Sequence, residues 1–309
     1  MRTSVTVFCP ATIANLSCGF DVLGVCLENV GDEMSVTKTE APGIIIKAIT
    51  GADLPLEVEK NVAGVAALAM IDELKPSFGF EITMHKRIKA GSGIGSSAAS
   101  AAGVVVAMNA LLDTPLPRKD LIRFAMQGEK LASGAAHADN VAPAILGGFT
   151  LIRSCEPLDV IKMHTPPDLY ATVIHPQIEL KTSDARSIIK QQISLKKAIQ
   201  QWGNVGGFVC GLYTEDYALM GHSLQDYIVE PLRSVLIPKF DEVRQAAMMQ
   251  GALGCGISGS GPSIYALCKG KTIAQQVAEA IREVYKTVGV DFDIHISAIN
   301  DHGVKIIEE

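Results

Sequence analysis

Residues 89–112, KAGSGIGSSAASAAGVVVAMNALL, carry no charge after Lys89 and constrain the chain more than any other segment. Gly91, Gly93 and Gly95 alternate with other residues, Ser96 and Ser97 follow, and a run of small apolar residues comes next. Glycine reaches positive φ without steric cost, so such a run lets backbone amides approach an anion closely. The free amides and the dipole at a helix start favour negative charge in the same place. Ser96 and Ser97 can cap the helix, donate to phosphate or ligate Mg2+. Ala98, Ala99, Ala101, Ala102 and Gly103 suit a helix packed closely on a neighbour. The plainer alternative is a tightly packed turn with a serine cap.

Two familiar phosphate motifs fit poorly. Gly93-Ile94-Gly95-Ser96-Ser97-Ala98 satisfies G-x-G-x-x-A, and Asp113 stands near the spacing of a ribose-binding acid. That acid should follow a second parallel strand, and Asp113-Thr114-Pro115 leads instead into another helical pattern. A Walker A loop needs a lysine after its glycines, and Gly95 is followed by serine. A different glycine-rich phosphate loop, between a strand and a helix, is the expectation.

The 309 residues suffice for about two domains. With 48% apolar and 19% charged residues the chain reads as an ordinary globular protein. A formal charge of −6 argues against broad nucleic-acid or anionic-membrane binding, so neither is expected as a partner. The 7 cysteines are scattered without a Cys-x-x-Cys and read as reduced, mostly buried thiols. No histidine pair has metal-ligand spacing at i, i+4. The first residues, MRTSVTVFCPATIAN, lack the apolar core of a signal peptide, and the helical stretch 97–112 is too short to span a bilayer. A cytoplasmic protein is expected.

Strands are expected at Val5–Phe8, stopped by Pro10, and at 43–49, 80–88, 147–154 and 170–176, with two more closing the chain. Helices are expected at 61–74, 115–134, about 183–213, 240–251 and 273–288. The mixed order suggests α+β layers rather than a doubly wound sheet. The proline- and acid-rich stretch 154–170 is the expected domain boundary, dividing the chain into 1–158 and 159–309.

Two further stretches keep the glycine loop company. CPATIANLSCGFDVLGVCLE (9–28) carries Asn15 and then Gly19-Phe20-Asp21, and GISGSGPSIYAL (256–267) is a second Gly/Ser loop. Together the three stretches resemble, in order, the motifs of the GHMP kinase superfamily, whose members phosphorylate small molecules with ATP. The first motif, PATIANLSCGFD, looks like the homoserine kinase form, departing from it at Ser17. In the glycine loop the family's proline falls at Lys89 and its usual leucine is Ile94.

This resemblance implies a two-domain fold, with an N-terminal domain like ribosomal protein S5 domain 2 and a ferredoxin-like C-terminal domain. It implies ATP and Mg2+, L-homoserine as acceptor, O-phospho-L-homoserine as product and a homodimer. It assigns the nucleotide to Asn61 and to Lys89, Ala90, Gly91, Ser92, Gly93, Ile94, Gly95, Ser96, Ser97, Ala98 and Ala99. The metal goes to Ser97 and Glu129. Substrate falls to Asn15, Asp21, His137, Asp139, Asn140, Thr182, Arg186 and Arg233. Asn140 and Asp21 are the catalytic candidates, and no general base is evident. Two arginines suit a carboxylate, since the guanidinium offers a planar pair of donors. Asn61 also reads as a plain N-cap. A shikimate- or mevalonate-type kinase, or a non-catalytic amino-acid or nucleotide sensor on the same fold, remains the alternative.

Overall fold

The structure is a computed structural model and describes residues 2–308 apart from 179, 181–184, 186 and 191. In the first sheet, β1 (Ser4–Ala14), β2 (Leu23–Thr39), β4 (Gly79–His85) and β3 (Ile44–Thr50) lie side by side in the order β1-β2-β4-β3. β3 and β4 run parallel, which requires a crossover, and helix α1 (Val62–Leu74) supplies it. The start of β2 also pairs with β5 (Phe149–Cys155), which pairs in turn with β6 (Leu158–Lys162).

Pro10 does not stop β1. It sits opposite Gly31 at a register shift, where a missing amide is tolerated, and the strand continues to Ala14. β2 was not expected from sequence, because Glu28, Asp32 and Glu33 interrupt its apolar pattern.

Helices α2 (Ser96–Leu111) and α4 (Val141–Leu146) join α1 on this sheet, and α3 (Arg118–Ser133) packs over the three helices. α2 is buried on nearly every side, as its small residues allow. A Cβ at Gly103 would lie 2.2 Å from Cys9 Sγ, and one at Gly128 2.6 Å from the Val62 carbonyl. Side chains at either position would push α2 off the sheet or α3 off α1.

The second sheet is antiparallel, in the order β10 (Phe292–Ala298), β7 (Leu169–Pro176), β9 (Ile264–Lys269), β8 (Gly254–Ile257). It packs on α8 (Phe240–Met249) and α9 (Lys271–Tyr285) through Ile174, Val243, Ile264, Val277 and Ile281. Helices α5 (Leu195–Thr214), α6 (Tyr217–Ser223) and α7 (Glu230–Arg233) bridge the layers. Phe208 and Leu212 of α5 enter the larger core, and the Phe208 ring meets Phe149 edge-on at 5.8 Å. The long helix expected from residue 183 does not run through to 213. Ser194, in extended geometry, caps the start of α5 by accepting from the Lys197 amide.

β6 begins at Leu158, where the domain boundary was expected, and still pairs with the first sheet. The last strand, β11 (Lys305–Glu308), returns to pair with β1. We propose that the first domain runs to about residue 162 and includes β11. No disulfide forms; Cys9, Cys18, Cys26, Cys255 and Cys268 are buried, and Cys155 and Cys210 are exposed.

Phe208 ties α5 to the first core, so Phe208→Ala should destabilise the protein by roughly 3–5 kcal/mol. Urea melts of the two proteins would measure it, and an unchanged midpoint would show that this contact does not hold the layers together.

Candidate active site

The glycine loop leaves β4, crosses the gap between the two sheets and enters α2. Gly91, Gly93 and Gly95 take φ of 73°, 81° and 72°, the left-handed region that glycine adopts freely. A Cβ on Gly93 would meet the Gly261 carbonyl at 2.6 Å, and one on Gly95 would meet Thr12 Oγ1 at 2.2 Å. The third glycine/serine stretch anchors the loop. Ser263 Oγ donates to the Ser92 carbonyl at 2.6 Å and Ser258 Oγ to the Gly93 carbonyl at 2.7 Å. The Thr12 amide donates to the Ile94 carbonyl at 3.1 Å. In a planar trans peptide the N–H points opposite to the carbonyl. Drawing those three carbonyls away therefore turns the amides of Gly93, Ile94 and Gly95 in the opposite direction.

Both ends of this loop are tied to one buried ion pair. Asp32 on β2 accepts from the amides of Arg87 at 2.6 Å and Ile88 at 2.8 Å, and from Lys86 Nζ. Lys86 Nζ also donates to the Ser96 carbonyl at 3.1 Å and to Ser100 Oγ at 2.9 Å, in the first turns of α2. Ser96 Oγ donates to the Ile88 carbonyl at 3.0 Å, so this hydroxyl closes the loop and is not turned to a phosphate. Neither Asp32 nor Lys86 was singled out from sequence; a charge inside a strand carries no mark of its partner.

The loop borders a cleft of about 710 Å3. Ala90, Gly91, Ser92, Gly93, Gly95, Ser96 and Ser97 line it. Ile94, Ala98 and Ala99 are buried behind it. Lys89 does not line the cleft: its Nζ donates to Gln177 Oε1 at 2.5 Å, outside the cleft. At one end stand Leu54, Pro55, Asn61 and Val62. Asn61 caps α1, its Oδ1 accepting from the Ala63 amide at 3.0 Å while its Nδ2 donates to the Pro55 carbonyl at 2.8 Å.

Glu129 of α3 lies against the start of α2 and is 6% exposed. Its Oε1 has no hydrogen-bond partner. Burial pushes its carboxyl up to about 7, and the Ser97 hydroxyl beside it pulls the other way. A buried carboxylate with an unused oxygen, paired with a serine hydroxyl at the start of α2, fits a hard divalent cation such as Mg2+. Among the described residues no group of three or more His, Cys, Asp and Glu is placed to hold a metal. A cation here would need phosphate oxygens to complete its shell.

At the other end the first motif makes a turn in which Asn15, Leu16 and Ser17 all have positive φ. Asn15 Nδ2 donates to the Gly259 carbonyl at 2.8 Å, and its Oδ1 accepts from the Asp21 amide at 3.0 Å. Asn15 therefore shapes the turn that presents Asp21. His137 Nδ1 stands 4.0 Å from Asp21 Oδ1. Asp139 and Asn140 line the same end, just before α4. Thr12 Oγ1 donates to Asn140 Oδ1 at 2.7 Å, which leaves the amide nitrogen as the end free to meet a ligand. Thr12 escaped the sequence reading although it lies inside the first motif.

Arg233, 4% exposed, borders the cleft beneath the Phe20 ring. Its Nε donates to the Ala185 carbonyl at 2.8 Å and its Nη1 to the Gly259 carbonyl at 3.2 Å. Thr182 and Arg186 lie outside the described residues.

The family described as GHMP kinases N terminal domain matches residues 60–148, and that described as GHMP kinases C terminal matches 206–287. The chain is 44% identical to homoserine kinase of Chloroherpeton thalassium, over 98% of this chain and 99% of that protein. The crystal structure of homoserine kinase from Cytophaga hutchinsonii superposes with a TM-score of 0.95 at 50% identity, covering 99% of this chain and 98% of that one. Mevalonate kinase of Methanococcus jannaschii shares the fold alone, with a TM-score of 0.68 at 14% identity over 97% and 99% of the two chains. The chain belongs to the GHMP kinases, ATP-dependent enzymes acting on a hydroxyl group. Within that class it belongs to the homoserine kinase family.

The raised carboxyl of Glu129 has a cost in the metal-free protein. Below the unfolded value of 4.5 both states hold the proton. Between 4.5 and about 7 the unfolded chain releases it while the folded protein keeps it, so stability falls as pH rises. The full penalty, at most roughly 3 kcal/mol, applies above that range. In the presence of a chelator, Glu129→Gln should melt several degrees above the parent at pH 8 and close to it at pH 4. Parallel melting curves at the two pH values would show no such divergence if the carboxyl were not strained by burial.

Proposed function

We propose that the cleft transfers the γ-phosphoryl group of ATP to the side-chain hydroxyl of L-homoserine, giving O-phospho-L-homoserine and ADP. The observation that carries this reading is the single cleft lined by the glycine loop, Glu129, Asn140 and Arg233. Phosphoryl transfer of this kind depends on alignment and charge neutralisation more than on covalent participation of the protein.

The amides of Gly93, Ile94 and Gly95 and the start of α2 receive the phosphates. Leu54, Pro55 and Val62, beside Asn61, form the apolar end suited to the base. Glu129 and Ser97 would hold Mg2+, which when bound neutralises charge on the phosphate tail. Arg233, whose guanidinium borders the cleft, suits the substrate carboxylate. Thr182 and Arg186 join it in our reading by resemblance. Asp21 and Asp139 suit the ammonium. Asn140, its oxygen held by Thr12, donates its amide to the acceptor hydroxyl and sets the line of attack. His137 orients Asp21.

A zwitterion needs both acidic and basic groups, and Asp21, Asp139 and Arg233 all line this cleft. Mevalonate, with no amine, makes no use of the acids. A coupled assay of ADP release should respond to L-homoserine and not to mevalonate or shikimate. Asn140→Ala should lower kcat by about a hundredfold with little change in the KM for ATP, and Arg233→Ala should mainly raise the KM for homoserine. Thr12→Val should lower kcat, and should add nothing once Asn140 is alanine. Additive losses in the double variant would show that Thr12 does not act through Asn140.

A further inference from the structure

Helix α5 turns Gln201, Val205, Phe208 and Leu212 toward the interior, at steps of four, three and four. Val205, Phe208 and Leu212 are apolar and serve the core, whereas Gln201 brings an amide into it. An amide taken out of water costs free energy unless its hydrogen-bonding groups find partners. Leucine would occupy the position without that cost, so packing alone does not ask for glutamine here.

Both ends of that amide are used, and they hold two different segments of the cleft. Gln201 Nε2 donates to the Cys18 carbonyl at 2.8 Å, and its Oε1 accepts from the Tyr227 amide at 3.0 Å. One partner is a carbonyl and the other an N–H, so the amide fits in one orientation only. Cys18 belongs to the turn in which Asn15 holds the Asp21 amide. Tyr227 opens the arm that leads through α7 to Arg233. Asp21 and Arg233 both line the cleft.

The arm has little strength of its own, because α7 is one turn long and a single turn is not stable alone. Asp226, next to Tyr227, gathers the amides that lead into it, accepting from Ile228 at 2.8 Å, Val229 at 3.1 Å and Glu230 at 2.8 Å. The Asp226 carboxyl also meets the Gln201 side chain. Glu230 accepts from the Ile257 amide at 3.1 Å and from Arg244, which ties α7 to β8 and α8. Gln201 thus joins the segment that presents Asp21 to the segment that presents Arg233, from a third element that touches neither side chain's ligand.

An α-amino acid bears its ammonium and its carboxylate on one carbon, so the two groups stand a fixed short distance apart. A site gains from both at once only if its acidic and basic groups hold a matching spacing before the ligand arrives. We propose, resting on the homoserine reading of the cleft, that Gln201 is a positioning residue: it sets the spacing of Asp21 and Arg233, and with it the preference for an acceptor that carries both charges.

Competitive inhibition of homoserine-dependent ADP release separates the two charges. L-α-Aminobutyrate is homoserine without its hydroxyl and keeps both charges, propylamine keeps the ammonium alone, and butyrate keeps the carboxylate alone. In Gln201→Leu the KM for homoserine and the Ki for aminobutyrate should rise about tenfold, while the Ki values of propylamine and butyrate and the KM for ATP move less than about twofold. Asp226→Asn, which takes an acceptor from the arm alone, should weaken aminobutyrate and butyrate and spare propylamine. It carries the test should Gln201→Leu lose the parent's circular dichroism spectrum. A role in stability only would shift all the ligands and ATP alike, and that result in either variant overturns the proposal, as does an unchanged KM for homoserine in a folded Gln201→Leu. A parent chain that releases no ADP with homoserine overturns the reading of the cleft, and the positioning role with it; an active parent with either of the other results overturns the positioning role alone.

Discussion

The buried pair of Asp32 and Lys86 is the constraint on which the site depends. A loop of alternating glycines has little reason of its own to hold one shape, because each glycine gives up much freedom on ordering. Asp32 takes the two amides where the loop begins, and Lys86 takes a carbonyl and a hydroxyl where it ends in α2. Burying two charges is expensive even when they are paired, and an apolar pair of similar volume is often as stable. What the apolar pair lacks is directed hydrogen bonds at both ends of an eight-residue span. The ion pair is best understood as a device of position. It fixes the start of α2 relative to β2, and so fixes where the helix presents its amides.

The same economy governs the far side of the loop. Ser258 and Ser263, from the second sheet, seize carbonyls of the glycine loop, while Gly259 offers its carbonyl to both Asn15 and Arg233. Four segments distant in sequence thus meet in hydrogen bonds at the seam between the sheets. The seam collects groups that a single core would reject: an unsatisfied carboxylate oxygen on Glu129, an arginine almost wholly out of water, and a cluster of peptide amides. In the proposed reaction a cation would face the unused Glu129 oxygen and the nucleotide phosphates would face the loop amides.

What the sequence disclosed follows the range of the physics. The glycine loop, the serine pair and the small-residue helix were legible because positive φ, capping and close packing are local demands. Most strands and helices were legible for the same reason. The gaps lie where partner choice is tertiary. β2 was hidden because its charges are satisfied across the sheet, and Pro10 looked like a stop because its bulge is visible only against Gly31. Lys89, given to the nucleotide by the resemblance, has its side chain on Gln177. Ser96 seemed a phosphate donor, yet it closes its own loop. Glu129 was found through the family resemblance, since a glutamate within a polar helix looks like any solvated one. Thr12 and Lys86 had no such signpost.

The turn after β1 shows how far a single site reaches. Asn15, Leu16 and Ser17 hold φ of 74°, 45° and 56°, a conformation that costs on the order of 1 kcal/mol per residue for side chains other than glycine. The turn persists because four contacts from different elements over-determine it. Asn15 binds Gly259 and the Asp21 amide, Ser17 meets the Tyr265 hydroxyl at 2.9 Å, and Gln201 of α5 donates to the Cys18 carbonyl at 2.8 Å. Gln201 lies on the buried face of α5, so a helix residue 183 positions along the chain from Cys18 braces the turn that presents Asp21.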